Sequence, residues 1–147
     1  MQTFLPYPSF AASAIVLDSK RLGKQRVETK QIYTALTTGK GWIHHPATKM
    51  WAGHESALAY YGIVVCHEWV RRGYNDSLLP YFSGLVYDDT DPPPWFGDDR
   101  FHDSHKSNLY RKDPVYYKAF ADVGPDLPYY WPTKEDYAYM LDNKVPA

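Results

Sequence analysis

The apolar positions of the chain recur at helical intervals. Leu22, Thr29, Ile32 and Leu36 fall on one side of a helix at spacings of three, four and seven, while Arg21, Lys24, Glu28 and Gln31 fall on a neighbouring side. Asp18 precedes this run as an N-cap, and Gly39 and Gly41 follow it as stops, so the pattern predicts a long helix ending near "TTGKG". A short helix is predicted from Phe10 to Leu17, opened by Ser9 after the extended, proline-bearing start "TFLPYP". Farther on, "HESALAYYGIVVCHEWVRRG" repeats Leu58, Tyr61, Val65 and Trp69 and stops at Gly73, the pattern of a core helix. Pro46 suits a turn or a helix start. From Tyr81 to Asp103 the periodicity gives way to Asp, Pro and Gly, which predicts a long surface loop. "SHKSNLYRKDPVYYKAF" predicts a helix interrupted at Pro114, "DLPYYWP" an irregular stretch, and Lys134 to Leu141 a last helix. No stretch alternates as a strand does. The expected fold class is therefore mostly α: one compact helical domain over residues 1–147, with an extended N-terminus and long irregular loops.

Composition narrows the class without naming a function. Apolar residues make up 44% of the chain, enough for a core, and no apolar run reaches the roughly 18 to 20 residues a membrane helix requires. "MQTFLPYPSF" lacks the basic start, apolar centre and small-residue cleavage site of a signal peptide, so a cytoplasmic, membrane-free location is expected, and a monomer. The single cysteine, Cys66 in "GIVVCHEWV", reads as a buried structural thiol. His102, Asp103 and His105 are of metal-ligating type but lack a third ligand at a recognised spacing, so no metal is expected.

Charge changes the picture more. The net charge of −1 hides a basic block: residues 19–49 hold Lys20, Arg21, Lys24, Arg26, Lys30, Lys40 and Lys49 against one acid, Glu28. Residues 50–103 reverse the sign, with Asp88, Asp89, Asp91, Asp98, Asp99 and Asp103 crowding the expected loop. A local basic surface of this kind suits phosphate, although the whole chain is not basic. Glu28 can be read in two ways. A carboxylate among cations suits stabilisation of a developing positive charge. Equally, Lys24 and Glu28 form an (i, i+4) pair of the kind common on solvated helix faces, which contributes only a few tenths of a kcal/mol.

The motifs "LDSKRLGKQRVETKQI", "GKGWIHHPATKMW", "HEWVRRGY" and "RKDPVYY", in this order, resemble the pyrimidine-dimer DNA glycosylase family of phage endonuclease V type. The resemblance is closest to a bacterial and phage branch that begins "MQTFLPY" and carries "RLGKQRVE" and "SHxSNLxRKDP", and with that branch it runs over nearly the whole chain. It implies a DNA glycosylase with AP lyase chemistry, no cofactor, and damaged or modified DNA, or a nucleotide, as partner. In that family an acid late in the first long helix is catalytic, and the register through Leu17, Asp18 and Leu22 puts it at Glu28; Val27 stands where the founding type has an arginine. The nucleophile implied is the chain's own α-amine. Because Gln2 is bulky, Met1 is expected to be retained and to supply it, with Lys24 as the fallback amine.

The implied substrate and phosphate contacts are Gln2, Arg21, Lys24, Gln25, Arg26, His45, His105, Asn108, Arg111, Lys112, Tyr116 and Tyr117. Capping by Ser104, helix entry at His45 and packing of the tyrosines remain the ordinary readings of the same residues. Two other functions stay open: a binding module for a modified base, nucleotide or protein partner on the same scaffold, and an enzyme acting on hypermodified bases or small nucleotides.

Overall fold

The structure, a computed structural model, describes residues 1–85 and 92–132. These residues contain six α-helices, one 3-10 turn and no strand, so the chain is mostly α. They fall into two compact units, one formed by Met1–Phe4 with Ser9–Pro93, the other by Leu5–Pro8 with the chain from Pro94 onward.

The first unit holds α1 (Phe10–Val16), α2 (Ser19–Thr38), α3 (Pro46–Trp51), α4 (Glu55–Arg71) and α5 (Leu79–Ser83). The expected caps form. The Ser9 hydroxyl accepts the Ala12 N–H, the Asp18 carboxylate accepts the Arg21 N–H, and Gly39 ends α2 in the left-handed conformation at φ 70°. Helix α4 is the centre of the unit and packs against α1, α2 and α5. Its Leu58, Tyr61 and Val65 are fully buried, as their spacing predicts. Two approaches are tight enough to require glycine. A Cβ on Gly23 of α2 would lie 3.0 Å from the Trp69 ring, and one on Gly62 of α4 would lie 2.7 Å from the Phe82 ring.

Ion pairs tie the ends of these helices together. Glu68 accepts from Arg71 and Arg72, and the Arg72 guanidinium also donates to the carbonyls of Ala14 and Ile15 in the last turn of α1. Arg26 of α2 pairs with Asp76, whose other oxygen accepts the Leu79 N–H at the start of α5. Burial works to raise the Asp76 pKa, but those bonds outweigh it and hold the carboxyl below its usual range. Cys66 is buried and its thiol is pushed up to about 12, by burial first and then by Asp76, which suits a structural role.

The stretch expected as one long loop from Tyr81 to Asp103 is more ordered than that at both ends. It opens inside α5, and α6 (Asp99–Lys112) begins within it. Asp98, read as part of the loop, is the N-cap of α6, and Pro80, just before that stretch, sits in the first turn of α5. Trp95 is fully buried against Phe101, with ring centroids 4.6 Å apart. Asp88, Asp89, Asp91 and the expected helix from Lys134 to Leu141 lie outside the described residues.

In the second unit α6 buries a polar face: Ser104, His105, Ser107 and Asn108 are all inaccessible. They meet the backbone of the irregular stretch that follows the 3-10 turn Lys118–Phe120. The Ser107 hydroxyl accepts the Leu127 N–H, Asn108 donates to the Leu127 carbonyl, the Ser104 hydroxyl accepts the Tyr130 N–H, and Arg111 donates to the Pro125 carbonyl. An irregular segment cannot pair its own backbone groups, so the helix side chains satisfy them. On the same helix His102 and His105 grip the peptide of Leu5: His105 Nδ1 accepts its N–H at 2.8 Å, and His102 Nδ1 donates to its carbonyl at 2.7 Å. No helix among the described residues is long and apolar enough to cross a membrane.

Candidate active site

The first four residues belong to no helix or strand, so their backbone groups depend on side chains. The Gln2 N–H donates to Glu28 Oε2 at 3.2 Å, and the Phe4 N–H donates to Gln25 Oε1 at 2.9 Å. In return Gln25 Nε2 donates to the Gln2 carbonyl at 2.8 Å and to Glu28 Oε2 at 3.3 Å. The Tyr61 hydroxyl lies 2.9 Å from both the Phe4 carbonyl and Gln25 Oε1. Trp51 Nε1 donates to the Thr3 hydroxyl at 3.0 Å. Three helices, α2, α3 and α4, thus anchor one short segment through amide, phenol and indole groups, nearly all of them buried.

This anchoring places the α-amine of Met1. Consecutive backbone nitrogens are separated by at most about 3.7 Å, so the amine lies within about 7 Å of Glu28 Oε2. It forms no ion pair with Glu28 at the 4.0 Å limit, and neither does any other cation among the described residues. The ordinary alternative, a Lys24 and Glu28 surface pair, does not form.

His45 stands beside this pair. Its Nδ1 accepts the Ala47 N–H at 3.0 Å and so caps α3. Burial lowers its pKa, the N-terminal charge lowers it further, and Glu28 pulls the other way. Tyr61 feels the same carboxylate: its pKa is raised, first by burial and then by Glu28.

On the solvent side of Glu28 lies an open cleft of about 540 Å³, lined by Lys20, Gly23, Lys24, Arg26, Val27, Glu28, Gln31 and Trp69. Its floor is two adjacent rows of α2, Lys20–Lys24–Glu28 and Gly23–Val27–Gln31, each at intervals of four. Lys20 and Trp69 were not among the expected contacts. The interval of four would have found Lys20, since it continues the Glu28 and Lys24 row by one turn. Trp69 reaches the cleft only because Gly23 leaves room for its ring, a relation between two helices that no local pattern carries.

Several expected contacts are used inside the protein. Gln25 and Gln2 are buried, and their amides hold the N-terminal segment rather than facing solvent. Arg21 pairs with Asp18 at 3.1 Å. Arg26 pairs with Asp76 and lies over the Trp69 ring, 5.0 Å from its centroid. In the second unit His105, Asn108 and Arg111 bind Leu5 and the stretch 125–127, and Arg111 also donates to Asn108. Tyr117 is buried and stacks on Phe120. Ser104, expected as a cap, lies in the middle of α6 with its hydroxyl donating to the Phe101 carbonyl. Lys24, Lys112 and Tyr116 are exposed. Of the residues expected in the site, Met1, Gln2, Lys24, Gln25, Arg26, Glu28 and His45 come together in the first unit.

The N-terminal segment is thus held against Glu28, the one acid of the cationic helix α2. The model of the pyrimidine dimer DNA glycosylase family matches residues 1–79, more than half of the chain, and the chain belongs to that family. No curated protein and no solved structure is matched.

Proposed function

We propose that the protein cleaves the N-glycosidic bond of a damaged or modified pyrimidine in DNA, using the α-amine of Met1 as nucleophile and Glu28 as the group that moves protons. The observation that carries this reading is the bond from the Gln2 N–H to Glu28, which keeps the amine within a substrate's reach of the carboxylate. Neutral amine attacks C1′, the bond from C1′ to the base breaks, and the base leaves with the electron pair and takes a proton from water. Glu28 accepts the surplus proton of the new ammonium and passes it to O4′ as the sugar ring opens, which leaves a protonated imine. Loss of a C2′ proton then expels the 3′ phosphate. No cofactor takes part, and Lys20 and Lys24 line the path of the strand. The cytoplasm, where such DNA is met, is the location this reading assigns.

The test is single-turnover cleavage of the glycosidic bond, read as strand scission after alkali treatment, in a duplex oligonucleotide carrying one cyclobutane thymine dimer, with Glu28→Gln as control. Glutamine keeps an acceptor for the Gln2 N–H but cannot take a proton. The variant should lose about 10² to 10⁴ in rate, the usual weight of a general acid or base, with little change in melting temperature. Equal rates for variant and wild type would remove Glu28 from the chemistry.

A further inference from the structure

Between α2 and α3 the chain makes a loop that presents an aromatic ring to solvent beside the candidate site. Residues 37–44 are all exposed, and Gly39 and Gly41 take φ of 70° and 84°, conformations that let the chain turn sharply. Trp42 is 52% exposed and Ile43 38%, whereas Trp51 and Trp95 are fully buried. An indole exposed to this degree costs hydrophobic free energy that a monomeric core would recover. The Trp42 ring is not loose in direction: it stands edge-on to His45, with centroids 6.0 Å apart at 87°. His45 in turn feels both the N-terminal charge and Glu28. The loop is therefore joined to the candidate site through one side chain.

Charge indicates what this ring meets. From Thr29 to His54 the sequence contains no acid, and Lys40 and Lys49, which flank Trp42 in the sequence, are both exposed. Exposed lysines on an acid-free segment that also exposes an aromatic ring suit a nucleic acid, with phosphates on the lysines and a base against the ring. A protein apolar surface would gain nothing from the lysines. An enzyme working at C1′ must also draw its nucleotide out of the stack, and the opened step loses stacking that a flat side chain can replace.

We infer that Trp42 is the wedge of this site: its indole enters the duplex beside the damaged nucleotide and stacks on the base exposed there, with Lys40 and Lys49 on the flanking phosphates. The inference rests on the DNA reading proposed above, and adds the residue that opens the duplex.

The test uses a duplex with a stable tetrahydrofuran abasic analogue and 2-aminopurine in the partner strand beside it, whose fluorescence rises when the base unstacks. Wild type, Trp42→Phe and Trp42→Ala are titrated, and each is also subjected to borohydride trapping on a natural abasic duplex. Wild type and Trp42→Phe should raise the fluorescence. Trp42→Ala should lose most of that rise and bind about tenfold or more weakly, the size of one base–aromatic contact, with an unchanged circular dichroism spectrum. A wild-type rise and affinity in Trp42→Ala, with trapping retained, overturns the wedge and leaves the glycosylase reading standing. Absence of both binding and trapping in wild type overturns that reading, and the wedge with it.

Discussion

The backbone N–H of Gln2 donates to Oε2 of Glu28 at 3.2 Å, which joins the start of the chain to the one acid on α2. Any function that uses the Met1 amine depends on this bond and on Gln25, which holds the same segment from both sides. Gln25 positions this segment through two buried bonds, a role that can be tested apart from that of Glu28.

Gln25 is the first case. Its replacement by alanine leaves the Phe4 N–H and the Gln2 carbonyl buried without their side-chain partner. An orphaned buried group costs about 1 to 3 kcal/mol, so Gln25→Ala should lose roughly 2 to 5 kcal/mol in urea denaturation. Its rate of glycosidic-bond cleavage should fall as well, since the segment bearing the amine is released. Wild-type stability would show that the segment is held by other contacts.

Acid should destabilise the second unit through its histidines. His105 is lowered to about 3, by burial first and then by His102, and burial lowers His102 too. Both rings must be neutral, because His105 Nδ1 accepts the Leu5 N–H and His102 Nε2 accepts the Gly97 N–H. A histidine with a depressed native pKa binds fewer protons folded than unfolded. The stability it confers is complete above the ordinary value of 6.5 and is lost as pH falls toward about 3. Glu68, lowered chiefly by its bond from Arg71, and Asp76 add loss in the same direction at lower pH. Melting temperature should therefore drop steadily from pH 7 to pH 4; a flat profile would contradict the histidine clamp.

Gly62 gives a prediction against helix propensity. Alanine in a helix interior is normally favoured over glycine by about 1 kcal/mol. Here its methyl would sit 2.7 Å from the fully buried Phe82 ring, so the ring or the helix must move. Gly62→Ala should destabilise by about 1 to 3 kcal/mol, as overpacking does, read from the urea midpoint. A stabilised variant would mean that Phe82 repacks freely.

How much of this was legible in the sequence follows from where each signal resides. Ser9, Asp18 and Gly39 are local signals, and the helices they bound lie where the pattern puts them. Leu58, Tyr61 and Val65 give the buried face of α4 for the same reason. Pro80 and Asp98 carry two meanings, helix start and helix stop, and only the burial of Phe82, Trp95 and Phe101 decides between them. The set Ser104, His105, Ser107 and Asn108 looks like a phosphate site because its donors are the right kind. The structure turns it to the backbone of 125–130, a partner defined by tertiary contact alone. Gln25 misleads similarly: a polar residue on a basic helix looks solvated, and an unpaired segment nearby is what buries it.

The central claim is that the amine of Met1, and not that of Lys24, attacks the sugar beside Glu28. Borohydride reduction of the complex with an abasic duplex, followed by protease digestion and mass spectrometry, reads the attachment site directly. The account predicts a reduced deoxyribose adduct on the N-terminal peptide, lost when the α-amine is blocked by acetylation. An adduct on the peptide containing Lys24, or trapping that survives a blocked N-terminus, would contradict it.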